Sequence, residues 1–345
     1  MLVAAAAALL VPLPPAAVER WYTNGVYAVL QPALTRVSNL VPFAWLDVAL
    51  AAGCVLIVLA VVRARRKPLV SRWRRALGLL LGGLEGAAIV YLAFLVLWGL
   101  NYRRVPATER FAVDPDRHRI EHLRALVAQA VEQVNATHHP GDRDDRLAPA
   151  ALLRSLPSAF HAAQARLESP WHAVPGRPKA SLVARTFRLS SVDGMLNPFG
   201  LEVVLNPDVL PFERPFVLAH EWAHLAGHAD ESEASFLAWL ACLEGDRPAQ
   251  YSGWLAVLLH AVRGLPEADR QAGLGALGPG PREDIRALQD RFARSNPVVR
   301  RVSWELYDQY LRANRVESGV ASYDEVVQLV LGARVAAPLL RPPPP

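Results

Sequence analysis

Cysteine is almost missing from this sequence. Cys54 and Cys242 are the only two in 345 residues. They fall in separate apolar segments, so no disulfide framework is implied, and neither thiol is placed to act as a nucleophile. The apolar stretch 2–18 lacks a basic leader, which counts against a secretory signal. Residues 43–62 carry one charge, Asp47. Residues 63–75 have no acidic residue, against seven basic ones. Internal repeats are absent. The net charge of +5 would suit nucleic acid, but its densest basic cluster has a better explanation in membrane topology, so no nucleic-acid partner is expected.

What remains is strongly apolar: 52% of residues are hydrophobic and the mean hydropathy is +0.16. That suits a membrane anchor joined to one globular domain. Segments 43–62 and 76–100 read as transmembrane helices, and 2–18 as a short third span or a leader-like segment. The positive-inside rule puts loop 63–75 in the cytoplasm. Residues 19–41 and everything after residue 100 then face the other side, the periplasm if the membrane is a bacterial inner membrane. Trp21, Tyr22, Tyr27, Trp98 and Tyr102 suit interfacial anchors. Gly78, Gly82 and Gly86 form a small-residue stripe for helix packing, with Glu85 beside it as a packing carboxylate. The expected organisation is a membrane anchor over 1–104, a domain over 105–335 and a disordered proline-rich tail over 336–345.

The chemistry concentrates in His220-Glu221-Trp222-Ala223-His224. On a helix, positions i and i+4 share a face, so two imidazoles at that spacing can grip one zinc ion. Glu221 is then near enough to reach a water on the metal. The flanks are uncharged, as in a buried helix, where an unliganded His-Glu-His set is costly. Gly227 is a helix-terminating signal that lets the chain turn back. A second apolar helix follows at once, with Glu231 and Glu233 in its first turn. Either could complete a His, His, Glu set with water in the fourth position.

Around that pair, 119–138 and 148–168 show helical periodicity, the latter bent near Pro157. Stretches 180–189 and 201–205 read as strands. Strand 201–205 would border the cleft, where an extended peptide could add to its edge. Residues 264–281 read as a Gly/Pro-rich loop, and 283–293, 304–313 and 323–331 as helices. The architecture expected is mainly α with a small β-sheet beside the motif helix, preceded by N-terminal transmembrane helices.

Trp98-Gly99-Leu100-Asn101-Tyr102-Arg103-Arg104, the HExxH run, the segment from Glu231 to Cys242, Tyr251-Ser252-Gly253 and Tyr307 to Asn314 together resemble a family of uncharacterised bacterial membrane proteins, a domain of unknown function, with gluzincin-type metallopeptidase features. The resemblance implies an α+β zincin-like domain, His220 and His224 as zinc ligands and Glu221 as general base. Glu233-Ala234-Ser235 is similar to the E-A-(N/D) element of gluzincins, which favours Glu233 over Glu231 as the third ligand. Ser235 stands where Asn or Asp is usual. The expected activity is a zinc metalloendopeptidase anchored in the lipid bilayer and acting on a peptide or protein substrate. Tyr307, Tyr310 and Tyr323 are candidate oxyanion donors. The alternatives are a zinc-binding but non-catalytic envelope scaffold or sensor, and a metal-free helical domain.

Overall fold

The computed structural model describes residues 1–66, 72–143, 149–314, 316 and 322–342. It is mainly helical with one small sheet. Helix α1 spans Leu2–Leu10. After a break at Pro12 and Pro14, α2 spans Pro15–Ser38, bent 116° from α1. Helices α3 (Trp45–Arg65) and α4 (Arg72–Leu97) are long and apolar enough to cross a membrane, and α1 with α2 would make a third span only if the bent pair counts as one. Residues 67–71 of the basic loop lie outside the described residues.

Then follow α5 (Ile120–Thr137), α6 (Pro149–Arg166), β1 (Pro178–Lys179), α7 (Ala184–Ser190), β2 (Gly194–Asn197) and β3 (Glu202–Leu205). Helices α8 (Arg214–Leu225), α9 (Glu231–Leu243) and α10 (Arg247–Ala261) form the centre. Helices α11 (Glu267–Gly275), α12 (Pro279–Ala293), α13 (Pro297–Ala313) and α14 (Ser322–Gly332) complete the fold. Every residue of α9 from Glu231 to Cys242 is buried. A helix apolar on all sides is a core helix, and α9 fills that role against α6, α8, α10 and α14.

Several expectations are corrected by this arrangement. Residues 180–189 are mostly helix α7, because Ala184 and Phe187 bury one helical face. Strand β3 is not an edge: it lies between β1, which runs parallel, and β2, which runs antiparallel. The edge strand that lies against the motif helix is β2. The loop 264–281 contains α11. The tail is ordered as far as Arg341, because Gln129 donates to Leu339 O and accepts from Arg341 N; residues 343–345 lie outside the described residues. Nor does packing divide the chain at residue 104. Tyr27, Trp98, Trp222 and Trp239 belong to one hydrophobic core, and α2 turns Tyr27, Gln31, Thr35 and Ser38 into it.

The sheet is bolted to the first membrane-length helix. The buried Glu202 carboxylate accepts from the N–H groups of Trp45 and Leu46 at 3.0 and 2.9 Å. These are two of the donors that the first turn of α3 leaves unpaired. Glu202 also accepts from Asn197 Nδ2 at 2.8 Å and Ser38 Oγ at 3.3 Å. Asp47, in the same first turn, accepts from Ser181 Oγ and Leu182 N, both at 2.8 Å. Glu202→Ala orphans buried donors, each worth about 1–3 kcal/mol. The substitution is expected to lower the unfolding free energy by roughly 2–3 kcal/mol, read as a lower thermal midpoint of the detergent-solubilised protein. An unchanged midpoint would mean that water replaces the carboxylate without loss.

Candidate metal centre

Helix α8 starts with Pro215 in its first turn, a position that suits proline. It ends in a tight reversal. Gly227 N–H donates to His224 O at 3.0 Å, and His228 N–H to Ala223 O at 3.1 Å. Gly227 adopts φ +83°, the left-handed conformation that this terminator requires. A side chain there would also meet Asn101 Oδ1 at 3.0 Å. Asp230 then caps α9, its carboxylate accepting from the N–H groups of Ser232 and Glu233. Two helix-end signals thus fold α9 back along α8 and set its first turn against the motif histidines.

There His220 Nε2 and His224 Nε2 approach to 3.1 Å. Glu231 Oε2 lies 3.0 Å from the first and 3.5 Å from the second. The three donor atoms lie within 4.8 Å of one another, close enough to hold one metal ion. The outer nitrogens are occupied. His224 Nδ1 donates to His228 O at 2.7 Å, and Ser235 Oγ lies 3.2 Å from His220 Nδ1. Such outer contacts fix the ring orientation and leave Nε2 for a ligand. Ser235, despite its short side chain, thus reaches the ring of His220. The donor set of two imidazole nitrogens and one carboxylate fits a borderline cation with N/O preference.

Electrostatics inside the cluster are strongly coupled. Burial works against charge on all three groups. The two imidazoles nonetheless hold Glu231 ionised, well below the usual carboxylate range. Burial wins at His220, which is pushed down. At His224 the facing Glu231 overcomes it and lifts the imidazole to about 9. A cation would take the place of the proton shared here.

Glu233 is not in the cluster. Residues i and i+2 of a helix point to different sides, so only one of the two glutamates can face the histidines. Glu233 turns instead to the Arg110 guanidinium and to His228 Nδ1, 3.1 Å away. Arg110 and burial decide its state: burial opposes charge, and Arg110 with His228 holds Glu233 ionised, far below the usual range. Glu231 occupies the place that the resemblance gave to Glu233.

Glu221 is buried, and its Oε2 has no hydrogen-bond partner among the described residues. Burial pushes its carboxyl up to about 8. Its carboxylate lies against β2: a Cβ on Gly194 would meet Glu221 Oε1 at 2.5 Å. Of the three tyrosines, Tyr307 donates its hydroxyl to Glu231 Oε1. Tyr310 stacks on Tyr307 at 5.9 Å and touches Tyr102. The side chain of Tyr323 lies outside the described residues.

The residues that sequence reasoning placed elsewhere are those that hold α8. Tyr27 donates to Leu225 O and Trp98 Nε1 to His224 O, each at 2.9 Å. Arg104 donates to Gly227 O at 2.8 Å and pairs with Glu19 at 2.6 Å. Tyr27 and Trp98 are buried, not interfacial. Tyr22 turns inward too, donating to Val96 O; only Trp21 among the first three is exposed. The available signal was the cluster of polar-headed aromatics and arginine before residue 105.

The fold and this cluster describe a helical protein with two candidate membrane spans and a buried His, His, Glu triad. It belongs to DUF3810, a family of proteins of unknown function, which matches over residues 22–331. No curated protein and no solved structure matches the chain. The family match covers α2 from Tyr22 onward, both long helices and the cluster alike.

Ligand assignment is checked by zinc content after equilibration and gel filtration. Wild type is expected to carry about one zinc per chain, lost in His220→Ala and Glu231→Ala and kept in Glu233→Ala. Loss in Glu233→Ala with retention in Glu231→Ala would restore the assignment made from the resemblance.

Proposed function

We propose that this protein is a membrane-anchored, zinc-dependent peptidase with a zincin-like domain on the extracytoplasmic side. One observation carries the reading: the Nε2 atoms of His220 and His224 converge with Glu231 while their Nδ1 atoms are engaged elsewhere. His220, His224 and Glu231 would hold the metal. Bound zinc supplies Lewis-acid polarisation of a carbonyl and lowers the pKa of water to about 7. Glu221, one residue from the first ligand and unpartnered at Oε2, accepts a proton from the attacking water and returns it to the leaving amine nitrogen. Strand β2 offers an edge for an extended backbone beside that carboxylate. Tyr307 donates its hydroxyl to Glu231 and so adjoins the cluster.

One observation favours a second reading, a zinc-binding envelope scaffold or sensor. The cluster is closely covered: the side chains of His220, His224 and Glu231 are at most 12% exposed, and Tyr307 is joined to Glu231. The two readings part on turnover. Glu221→Gln is expected to keep its zinc and to lose at least 100-fold in hydrolysis of a peptide library, about the minimum that a general base contributes. Full activity in that variant would remove Glu221 from the mechanism. Zinc without hydrolysis in the wild type, assayed in lipid, would favour the scaffold.

A further inference from the structure

Helix α13 (Pro297–Ala313) is apolar on two opposite sides. One side faces the protein through Tyr307 and the fully buried Leu311. The outward side carries Val298, Val302 and Leu306 at i, i+4 and i+8, exposed by 58, 45 and 62%. Residues at that spacing line up along one face of a helix. Arg301 and Glu305, both exposed, lie along one edge of the stripe. An exposed apolar face with charge along its edge is the pattern of a helix that lies in a membrane surface.

The position of α13 agrees with that pattern at both ends. At its start, Asn296 N–H donates to Leu189 O at 3.0 Å, which ties it to α7. The chain entering α7 is held at Ser181 and Leu182 by Asp47, in the first turn of α3. At its other end, the Tyr310 ring packs on Phe94 at 6.2 Å and on Tyr102 at 6.0 Å. Phe94 lies in the last turn of α4, and Tyr102 just beyond it. The start of α3 and the end of α4 are the same side of a two-helix hairpin. A helix of this length, about 25 Å, is therefore strung between two points at one membrane surface. Leu182 and Leu189, 67 and 48% exposed, add apolar surface along the same line.

We infer that α13 is seated in the lipid bilayer, with Val298, Val302 and Leu306 in the acyl–headgroup boundary and Tyr307 pointing back onto Glu231. The occupant of this face is lipid, because the face continues the surface of the two spans. The inference rests on the spans, not on the zinc reading, so it stands or falls independently of metal content and of turnover. It gives the bilayer a role in holding the phenol over the triad.

The test uses the full chain in phosphatidylcholine–phosphatidylglycerol liposomes. Single nitroxides are placed at Val302 and Leu306, with Arg301 as the control, after Cys54→Ser and Cys242→Ala. Collision with oxygen and with an aqueous nickel chelate is measured at each site. Preference for oxygen at 302 and 306, reversed at 301, is the expected result. Preference for the nickel chelate at all three sites overturns the inference. Exclusion of both reagents, with dipolar broadening between labels, overturns it in favour of a second copy of this chain. Unmodified protein photolabelled with a diazirine phosphatidylcholine guards against misfolding of the variants. Adducts on 297–313 support the inference, and adducts confined to α3 and α4 refute it.

Discussion

The last turn of a helix leaves carbonyls without partners, and here those carbonyls are underground. Helix α8 ends in the core, where water cannot satisfy them, so other groups must. Trp98 serves His224 O, Tyr27 serves Leu225 O and Arg104 serves Gly227 O. All three donors precede residue 105, in segments whose composition is that of a membrane anchor. The helix that carries the paired histidines is thus terminated by side chains from α2 and from the turn after α4. Its reversal at Gly227, and with it the approach of Glu231, depends on that clamp. This is why anchor and domain share one core instead of being joined by a linker.

The second constraint is charge. Glu231 and Glu233 are both buried on α9, together with His224 and His228 from the segment before it and the partly exposed His220. A buried carboxylate without a partner is expensive, and removing one member of a buried pair costs more than the pair contributes. The first turn of α9 separates the two carboxylates. Glu231 is compensated by the imidazole pair, and Glu233 by Arg110 and His228. Arg110 is itself fixed in place, donating to Val105 O at 2.8 Å and lying over the Phe111 ring. Phe111 stacks on His228 in turn. The polar network beside the triad sets the path of residues 226–231 without supplying a donor atom to the triad.

Much of this was legible beforehand, and the failures have physical causes. The two long apolar helices, the HExxH helix, the terminating Gly227 and the buried helix after it were all readable from hydropathy and helix-end chemistry. Helix α2 was not. Its buried face is Thr23, Gln31, Thr35 and Ser38, with Tyr27. A periodicity search treats such a polar stripe as the solvent side. The stripe is buried because it is consumed in bonds to the sheet and the preceding loop: Gln31 to Val174, Thr35 to Leu201 O and Ser38 to Glu202. Which glutamate faces the histidines was not legible, because the group that draws Glu233 aside is Arg110, more than a hundred residues away in sequence. The aromatics near the spans were misjudged because a tyrosine or tryptophan suits a membrane interface and a buried carbonyl equally well: both supply an apolar body and one polar handle.

These ties leave little freedom between the triad and the membrane-length helices. From α3, Glu202 leads into β3, β3 pairs with β2, and Gly194 of β2 lies against Glu221. From α4, Phe94 and Tyr102 lead to Tyr310, and the next turn of α13 reaches Glu231 through Tyr307. The buried carboxylate and the triad are approached from opposite ends by two short, rigid chains of contact, one from each helix of the hairpin. A shift of the two helices relative to each other would therefore be felt as a change in the spacing between β2 and α13, across the triad. Flexible linkers would absorb such a shift, whereas hydrogen-bonded sheets and packed aromatic rings transmit it.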